Sequence, residues 1–198
     1  MVKKIVGTGV LLVLALALQA GVKMYTLKSP DGKVKLEVTA GQGIAYSLFY
    51  DGRLLLKPSR IALHTDLPEA DHWENIRITG TKQRHVSETV QAPFYRVKEF
   101  GIDCNELELR LNNGFSLLMR AYNDGMAYRF VAGRKGEMTV VEERAEFNFA
   151  DDFEAYIPYS TNPKDPWNMA FQNFYTKAPL TQYNTELPAF LPLTVDAG

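Results

Sequence analysis

The sequence predicts an all-β protein, folded as a twisted antiparallel sandwich with two sheet layers. Short segments that alternate polar and apolar residues recur along the chain, and Gly, Asp and Asn turn signals separate them. No segment shows the long 3.6-residue periodicity of an amphipathic helix. Together these observations favour an antiparallel sandwich over a fold that alternates strands with helices.

The first 20 residues precede this pattern and are predicted to be a cleaved signal peptide. Lys3 and Lys4 supply a positive start, residues 10–18 form an apolar run, and Ala20 and Gly21 are small residues suited to cleavage. The apolar run is shorter than the roughly 20 residues that span a bilayer. The alternatives are an N-terminal hydrophobic strand and an uncleaved anchor. Cleavage predicts a secreted or periplasmic protein with a mature domain at residues 21–198 and no membrane attachment.

The strand pattern is clearest at residues 33–39, where Val34, Leu36 and Val38 are predicted to share one buried face. Asp51-Gly52 predicts a tight hairpin turn between strands at residues 45–50 and 54–56. A second turn at Gly114, a residue that tolerates positive φ, is predicted between strands at residues 106–111 and 115–120. Further strands are predicted at residues 76–79, 85–90, 95–100, 126–131 and 139–149.

The composition changes from about Asp151 onward. Six prolines arrive together with many aromatic residues, and each proline lacks the N–H that a central strand needs. The sequence therefore predicts an extended, loop-rich C-terminal segment that packs on another surface. The prolines are Pro158, Pro163, Pro166, Pro179, Pro188 and Pro192.

Charge and cysteine content exclude two classes of function. Without Lys3 and Lys4 the chain has 20 basic residues (22 − 2) against 23 acidic ones, a net charge of −3. Nucleic acid is not expected as a partner, because no basic stripe exists to neutralise a phosphate backbone. The single cysteine, Cys104, has no intramolecular disulfide partner. It is predicted to be a small buried residue on a strand rather than a reactive thiol.

Four motifs occur in order along the mature chain. They are Ser29-Pro30-Asp31-Gly32-Lys33, the strand-turn-strand segment of residues 45–53, the segment YNDGMAYRF at residues 122–130, and FQNFYTKAPL at residues 171–180. This ordered set resembles the N-terminal region of glycoside hydrolase family 97, a family of exported α-glucosidases and α-galactosidases. The resemblance implies a β-sandwich that packs on a catalytic (β/α)₈ barrel. Because a barrel needs about 250 residues, the chain to Gly198 is expected to be a truncated product or an excised domain.

The resemblance also implies a calcium ion at the active site of the complete enzyme, with one ligand from this region. Phe171-Gln172-Asn173 matches the frame of the family motif but carries Gln172 where Glu is expected. An amide carbonyl still suits Ca²⁺ but lacks the charge that tightens the site, so Gln172 is the predicted metal ligand of a weakened site. The alternative is that Gln172 and Asn173 satisfy backbone groups in a Pro-bounded loop.

Substrate contact is predicted for Trp167 and Asn173, because aromatic faces and amides suit sugars. For the other aromatic residues of the C-terminal segment, the favoured interpretation is that they cap the sandwich or pack against the barrel. Trp73 is a weaker candidate for sugar contact. The turn Asn123-Asp124-Gly125 and the nearby Arg129 are assigned structural roles, with Gly125 allowing the turn conformation and Arg129 able to pair with a carboxylate.

No catalytic residue is predicted within the chain. Glycoside cleavage requires two carboxyl groups on either side of one bond, and proximity in sequence does not create that geometry for the candidates, which are Asp151, Asp152 and Glu154, or Asp165 and Glu186. A solvated turn better explains Asp151 and Asp152. The favoured function is a non-catalytic N-terminal sandwich of an α-glycosidase, inactive alone, that contributes to the active-site rim for an α-linked oligosaccharide. The alternatives are a stand-alone exported glycan-binding module and a purely structural exported domain.

Overall fold

The computed structural model describes residues 23–160, 162, 164–166 and 173–198. In this part of the chain there are twelve β-strands and one short 3-10 helix at Leu180–Gln182, and no α-helix, so the all-β prediction is confirmed. None of these residues forms a helix long and apolar enough to cross a membrane. The strands are β1 Lys23–Lys28, β2 Val34–Gly41, β3 Gly43–Tyr50, β4 Arg53–Thr65, β5 Ile78–Gln91, β6 Glu99–Leu111, β7 Phe115–Tyr122, β8 Gly125–Ala132, β9 Val140–Ala145, β10 Glu154–Ile157, β11 Thr176–Pro179 and β12 Thr194–Asp196.

Two antiparallel sheets form the predicted sandwich. The first has five strands in the order β1-β2-β3-β4-β9, and the second has four in the order β5-β6-β7-β8. Within each of these two sheets, neighbouring strands are consecutive in the chain, except that β9 returns to pair with β4. All six residues of β9 are exposed, so this edge strand presents Glu142 and Glu143 to solvent.

The core lies between the inner faces of the two sheets. On β2 the buried positions alternate as predicted, with Val34, Leu36 and Val38 facing inward. The inner faces of β6 and β7 oppose them and are filled mainly by leucine. Tyr46 of the first sheet meets Tyr128 of the second, with ring centroids 6.2 Å apart. The fully buried large side chains of the two inner faces include Leu36, Tyr46, Ile44, Ile61, Leu107, Leu109, Leu117 and Met119.

Two of the strand predictions need correction. Residues 76–79 and 85–90 belong largely to one long strand, β5, because the charged run between them pairs continuously with β6. The strand predicted at residues 95–100 is wrong over most of its length. Residues 92–98 form the connection between β5 and β6, closed by a hydrogen bond from the Ala92 N–H to the Lys98 carbonyl at 2.7 Å. The apolar side chains of this connection are exposed rather than buried, so they do not alternate between a core face and a solvent face as strand residues do.

Two turns have the predicted backbone geometry and one does not. Asp51 and Gly52 both have positive φ, 48° and 81°, as a two-residue hairpin turn with the right-handed strand twist requires. Gly114 has φ 85° and closes the turn between β6 and β7. Gly125, however, lies outside the positive-φ region, because it is the first residue of β8 and pairs with Tyr122 in the ladder.

Replacing Gly52 by alanine is expected to lower the free energy of unfolding by about 1 kcal/mol, since a Cβ disfavours this backbone conformation. No atom lies within 4 Å of the new Cβ, so the loss is conformational rather than steric. Gly101→Ala is the matched control, because Gly101 has extended backbone and the same open space. Denaturant unfolding should show a loss for Gly52→Ala alone, and equal effects of the two substitutions would contradict this account.

The C-terminal segment is extended and loop-rich, as predicted, but it also contains a small third sheet. Its order is β11-β10-β12, so the earliest strand lies in the centre. This sheet is attached to the sandwich near the start of β4. The Ala150 N–H donates to the Leu55 carbonyl at 2.9 Å, and the Arg53 guanidinium donates to the Ala197 carbonyl.

Candidate functional site

The residues predicted to contact ligands lie in the C-terminal segment. Trp167 and Gln172 fall outside the described residues, so their predicted roles stay predictions. Asn173 is partly buried just before β11. Its side-chain nitrogen Nδ2 is buried and has no hydrogen-bond partner among the residues that the structure describes. A buried amide nitrogen without a partner is costly, which marks this position as one where a further polar group is needed.

Two acidic residues of this segment, Asp152 and Glu154, have structural partners. Asp152 accepts hydrogen bonds from the backbone N–H of Thr181 at 2.9 Å and from its hydroxyl at 2.7 Å. These bonds lower the pKa of the Asp152 carboxyl, whereas a general acid needs a raised pKa. Glu154 pairs with Lys177 at 2.7 Å across β10 and β11. This arrangement does not assemble a pair of catalytic carboxyls from these residues.

The aromatic residues of the segment divide into packed and exposed groups. Tyr159 and Tyr183 pack with ring centroids 5.4 Å apart and ring planes tilted by 48°, and the Tyr159 hydroxyl accepts a hydrogen bond from the Asn184 N–H at 2.7 Å. Phe174 and Leu191, in contrast, are almost completely exposed. Trp73 lies in the core, where its indole nitrogen donates to the Leu63 carbonyl at 3.1 Å. Sugar contact by Trp73 is therefore ruled out.

A charged cluster on the outer face of the second sheet was not predicted from the sequence. Glu106 lies at the centre of this face and is only 5% exposed, although the face is polar on the neighbouring strands β5 and β7. Its two carboxylate oxygens accept hydrogen bonds from Arg84 Nε and Arg120 Nε, each at 2.7 Å. The three residues form one cross-strand row, because Arg84 and Arg120 are the register partners of Glu106 on β5 and β7.

Electrostatics keep this triad ionised. Burial acts to raise the pKa of Glu106, but the hydrogen bonds and charges of the two arginines outweigh it and hold that pKa below its usual value. The pKa of Arg120 is raised, mainly by a hydrogen bond with Tyr122 and secondly by its hydrogen bond with Glu106. Arg129 lies on the same face, and no ion pair joins it to another described residue, in contrast to the prediction that it pairs with a carboxylate.

Other polar residues have the expected structural roles. Asn123 accepts a hydrogen bond from the Asp31 N–H at 3.0 Å and so joins a turn of one sheet to a turn of the other. Cys104 is fully buried on β6, and burial raises the pKa of its thiol, as predicted for a structural cysteine. The described residues contain no group of three or more His, Cys, Asp or Glu side chains placed to hold a metal ion.

Comparison with known proteins identifies the family. The sequence profile described as "Glycosyl-hydrolase 97 N-terminal" matches residues 27–198, which is nearly all of the predicted mature chain. The chain belongs to glycoside hydrolase family 97. It corresponds to the N-terminal domain of that family, as the four ordered motifs predicted.

Curated relatives in family 97 are much longer than this chain. A "Retaining alpha-galactosidase" of Bacteroides thetaiotaomicron is 40% identical over 189 residues, which cover 92% of this chain and 28% of the relative. A "Probable retaining alpha-galactosidase" of Streptomyces bingchenggensis is 26% identical over 158 residues, or 78% of this chain and 24% of the relative. The chain thus spans about a quarter of the length of these relatives.

Solved structures show the same fold. A family 97 enzyme of Pseudoalteromonas sp. strain K8, in complex with panose, matches with a TM-score of 0.64 and 18% identity over 80% of this chain and 25% of that one. A β-arabinopyranosidase matches with a TM-score of 0.66 and 22% identity over 77% of this chain and 26% of that one. At 18% and 22% identity, these two structures support the fold and nothing beyond it.

Proposed function

We propose that this chain is the non-catalytic N-terminal domain of an exported α-galactosidase and that it supports the catalytic part of the enzyme. The observation that carries the proposal is the 40% identity to the Bacteroides α-galactosidase over 92% of this chain. Asp152 and Glu154 add support, because their carboxylates are tied to Thr181 and Lys177 rather than facing one another across a cleft. Catalytic carboxyls then belong to another part of the enzyme.

The C-terminal segment is the part that we propose reaches the active-site rim. Asn173 would contact the sugar with its partly buried amide, whose nitrogen has no partner among the described residues. Trp167 would offer an aromatic face to the same oligosaccharide. Gln172 would contribute its side-chain carbonyl to calcium, which when bound polarises the substrate. Since the described residues hold no complete metal cluster, the other oxygen ligands would come from the catalytic part.

The test begins with the coding DNA after the codon for Gly198. The longest product that it encodes should be assayed on p-nitrophenyl α-galactoside and p-nitrophenyl α-glucoside, with and without EDTA. We expect EDTA-sensitive turnover of the galactoside, restored by calcium, and no turnover by residues 21–198. Preference for the glucoside would contradict the assigned sugar. An immediate stop codon would contradict the support role and leave glycan binding by the isolated domain as the function to test.

The predicted calcium ligand can be tested separately in the longer product. Gln172→Glu restores the charge of the family motif and should lower the calcium concentration needed for half-maximal activity, because a carboxylate binds Ca²⁺ more tightly than an amide. Asn184→Asp is a matched control that adds the same charge within the same segment. An equal response to both substitutions would show that the effect of charge is general and that Gln172 is not a ligand.

A further inference from the structure

Strands β5 and β6 continue beyond the sandwich as a two-stranded ribbon, here residues 87–103. Pairing between β6 and β7 ends at Cys104 and Tyr122, whereas pairing between β5 and β6 continues to Gln91 and Glu99. Within the described part of the chain, no third strand pairs with the ribbon, and its strand residues are exposed except for the partly buried Ile102. An isolated two-stranded hairpin is only marginally stable in water. The ribbon is anchored in the sheet only at its base, so a further surface would stabilise it.

The tip of the ribbon carries the largest exposed apolar side chains in this region. Phe94 is completely exposed at 102%, Tyr95 is 65% exposed, and Val97 is half exposed. The rings of Tyr95 and Phe100 are 5.5 Å apart, so two of the aromatic residues already form one surface. A contiguous apolar surface of this kind on a protruding element indicates a binding site for another protein surface.

The position of the ribbon indicates which surface that is. Cys104 and Tyr122 lie at the same end of the sandwich as the turn at Asp31, because Asn123 bonds to Asp31. The turn at residues 51–52 is also at this end, since the Asp51 N–H donates to the Lys33 carbonyl. The last residues of the chain lie here as well, because the Ala197 carbonyl accepts a hydrogen bond from Arg53. A segment that follows Gly198 would begin at the end from which the ribbon projects.

We propose that the ribbon tip docks on the catalytic part of the same polypeptide, the part that follows Gly198. This inference rests on the proposed function, which supplies that part. The docking surface would be an apolar recess for Phe94 and Tyr95 with acidic groups at its rim, because Arg96 and Lys98 flank the tip. The ribbon then fixes the orientation of the sandwich at a distance from the covalent connection.

Trypsin cleavage of the longer product tests the docking directly. Arg96 and Lys98 are exposed trypsin sites at the tip, and Arg134 and Lys135 form a comparable exposed site in the loop at the opposite end of the sandwich. Docking should make cleavage at the tip at least about tenfold slower than cleavage at that loop, because the tip must first open. The double substitution of Phe94→Ser and Tyr95→Ser should remove this protection and leave cleavage at the loop unchanged.

Val141→Ser is the matched control, because Val141 is an exposed apolar residue on β9 and lies outside the ribbon. It should leave both cleavage rates unchanged. Equal cleavage at the tip and the loop in the wild-type product would overturn the proposal. Protection that grows with protein concentration would also overturn it, since the partner would then be a second copy. Turnover of the α-galactoside reports separately on the proposed function, so a protected tip without turnover would contradict that function and not the docking.

Discussion

Leu117→Ala is expected to lower the free energy of unfolding by about 3 kcal/mol, the largest loss predicted for a single substitution in this domain. Leu117 is fully buried in the middle of β7, with Leu109 and Phe130 as its register partners on the two neighbouring strands. Removing three carbon atoms loses their transfer free energy and leaves a cavity between the sheets. The rigid cross-strand neighbours can fill that cavity only in part.

Leu118→Ala is the matched control for this prediction. Leu118 has the same side chain on the same strand, but it points to the outer face and is only partly buried. Urea unfolding of both variants should show a loss of about 1 kcal/mol or less for Leu118→Ala. Equal losses would mean that the two faces of β7 are similarly buried, which would contradict the register of this strand.

Glu106→Gln is expected to lower the free energy of unfolding by about 2 kcal/mol at neutral pH, the second-largest effect predicted for a single substitution. The charge-assisted hydrogen bond to Arg120 contributes about 1.5–3 kcal/mol. The bond to the half-exposed Arg84 contributes less because solvent screens it. The amide also turns one acceptor into a donor that faces an arginine. Glu108→Gln is the control, because Glu108 on the same strand accepts only a 3.3 Å bond from the Ser116 hydroxyl among the described residues.

The cost of Glu106→Gln should depend on pH in a defined direction. The pKa of Glu106 is lower in the folded protein than its usual value of about 4.3, so ionisation of this carboxyl stabilises the fold above that value. The stabilisation is lost as the pH falls through the lower folded-state pKa. The difference in unfolding free energy between wild type and Glu106→Gln should therefore shrink in acid, and a difference that persists at low pH would contradict an electrostatic origin.

Local signals in the sequence were enough to predict the sandwich. The alternation at Val34, Leu36 and Val38 is a property of one strand, and the Asp51-Gly52 turn is encoded by two adjacent residues that accept positive φ. Both features depend on the chain within a few residues. The ordered motifs then predicted the family, which the profile match over residues 27–198 confirmed.

The features that the sequence did not predict depend on distant parts of the chain. Glu106 lies in an ordinary alternating strand, and only the register of two other strands brings Arg84 and Arg120 to its two oxygens. Phe94 and Tyr95 resemble strand residues because apolar side chains usually indicate burial, yet here they lie at the tip of a projecting ribbon. Apolar character alone does not distinguish a core strand from a surface that awaits a partner.

The strand order of the third sheet has a consequence for biosynthesis. Its central strand, β10, leaves the ribosome before either of its partners, and the last of these ends at Asp196. At about 5–20 residues per second, the 39 residues from 158 to 196 take about 2–8 s to synthesise. Both edges of β10 stay open to other nascent chains until β11 emerges, and one edge stays open until β12 is complete, whereas β6, β7 and β8 pair successively as they emerge. The small sheet is therefore the last part of the domain to be completed.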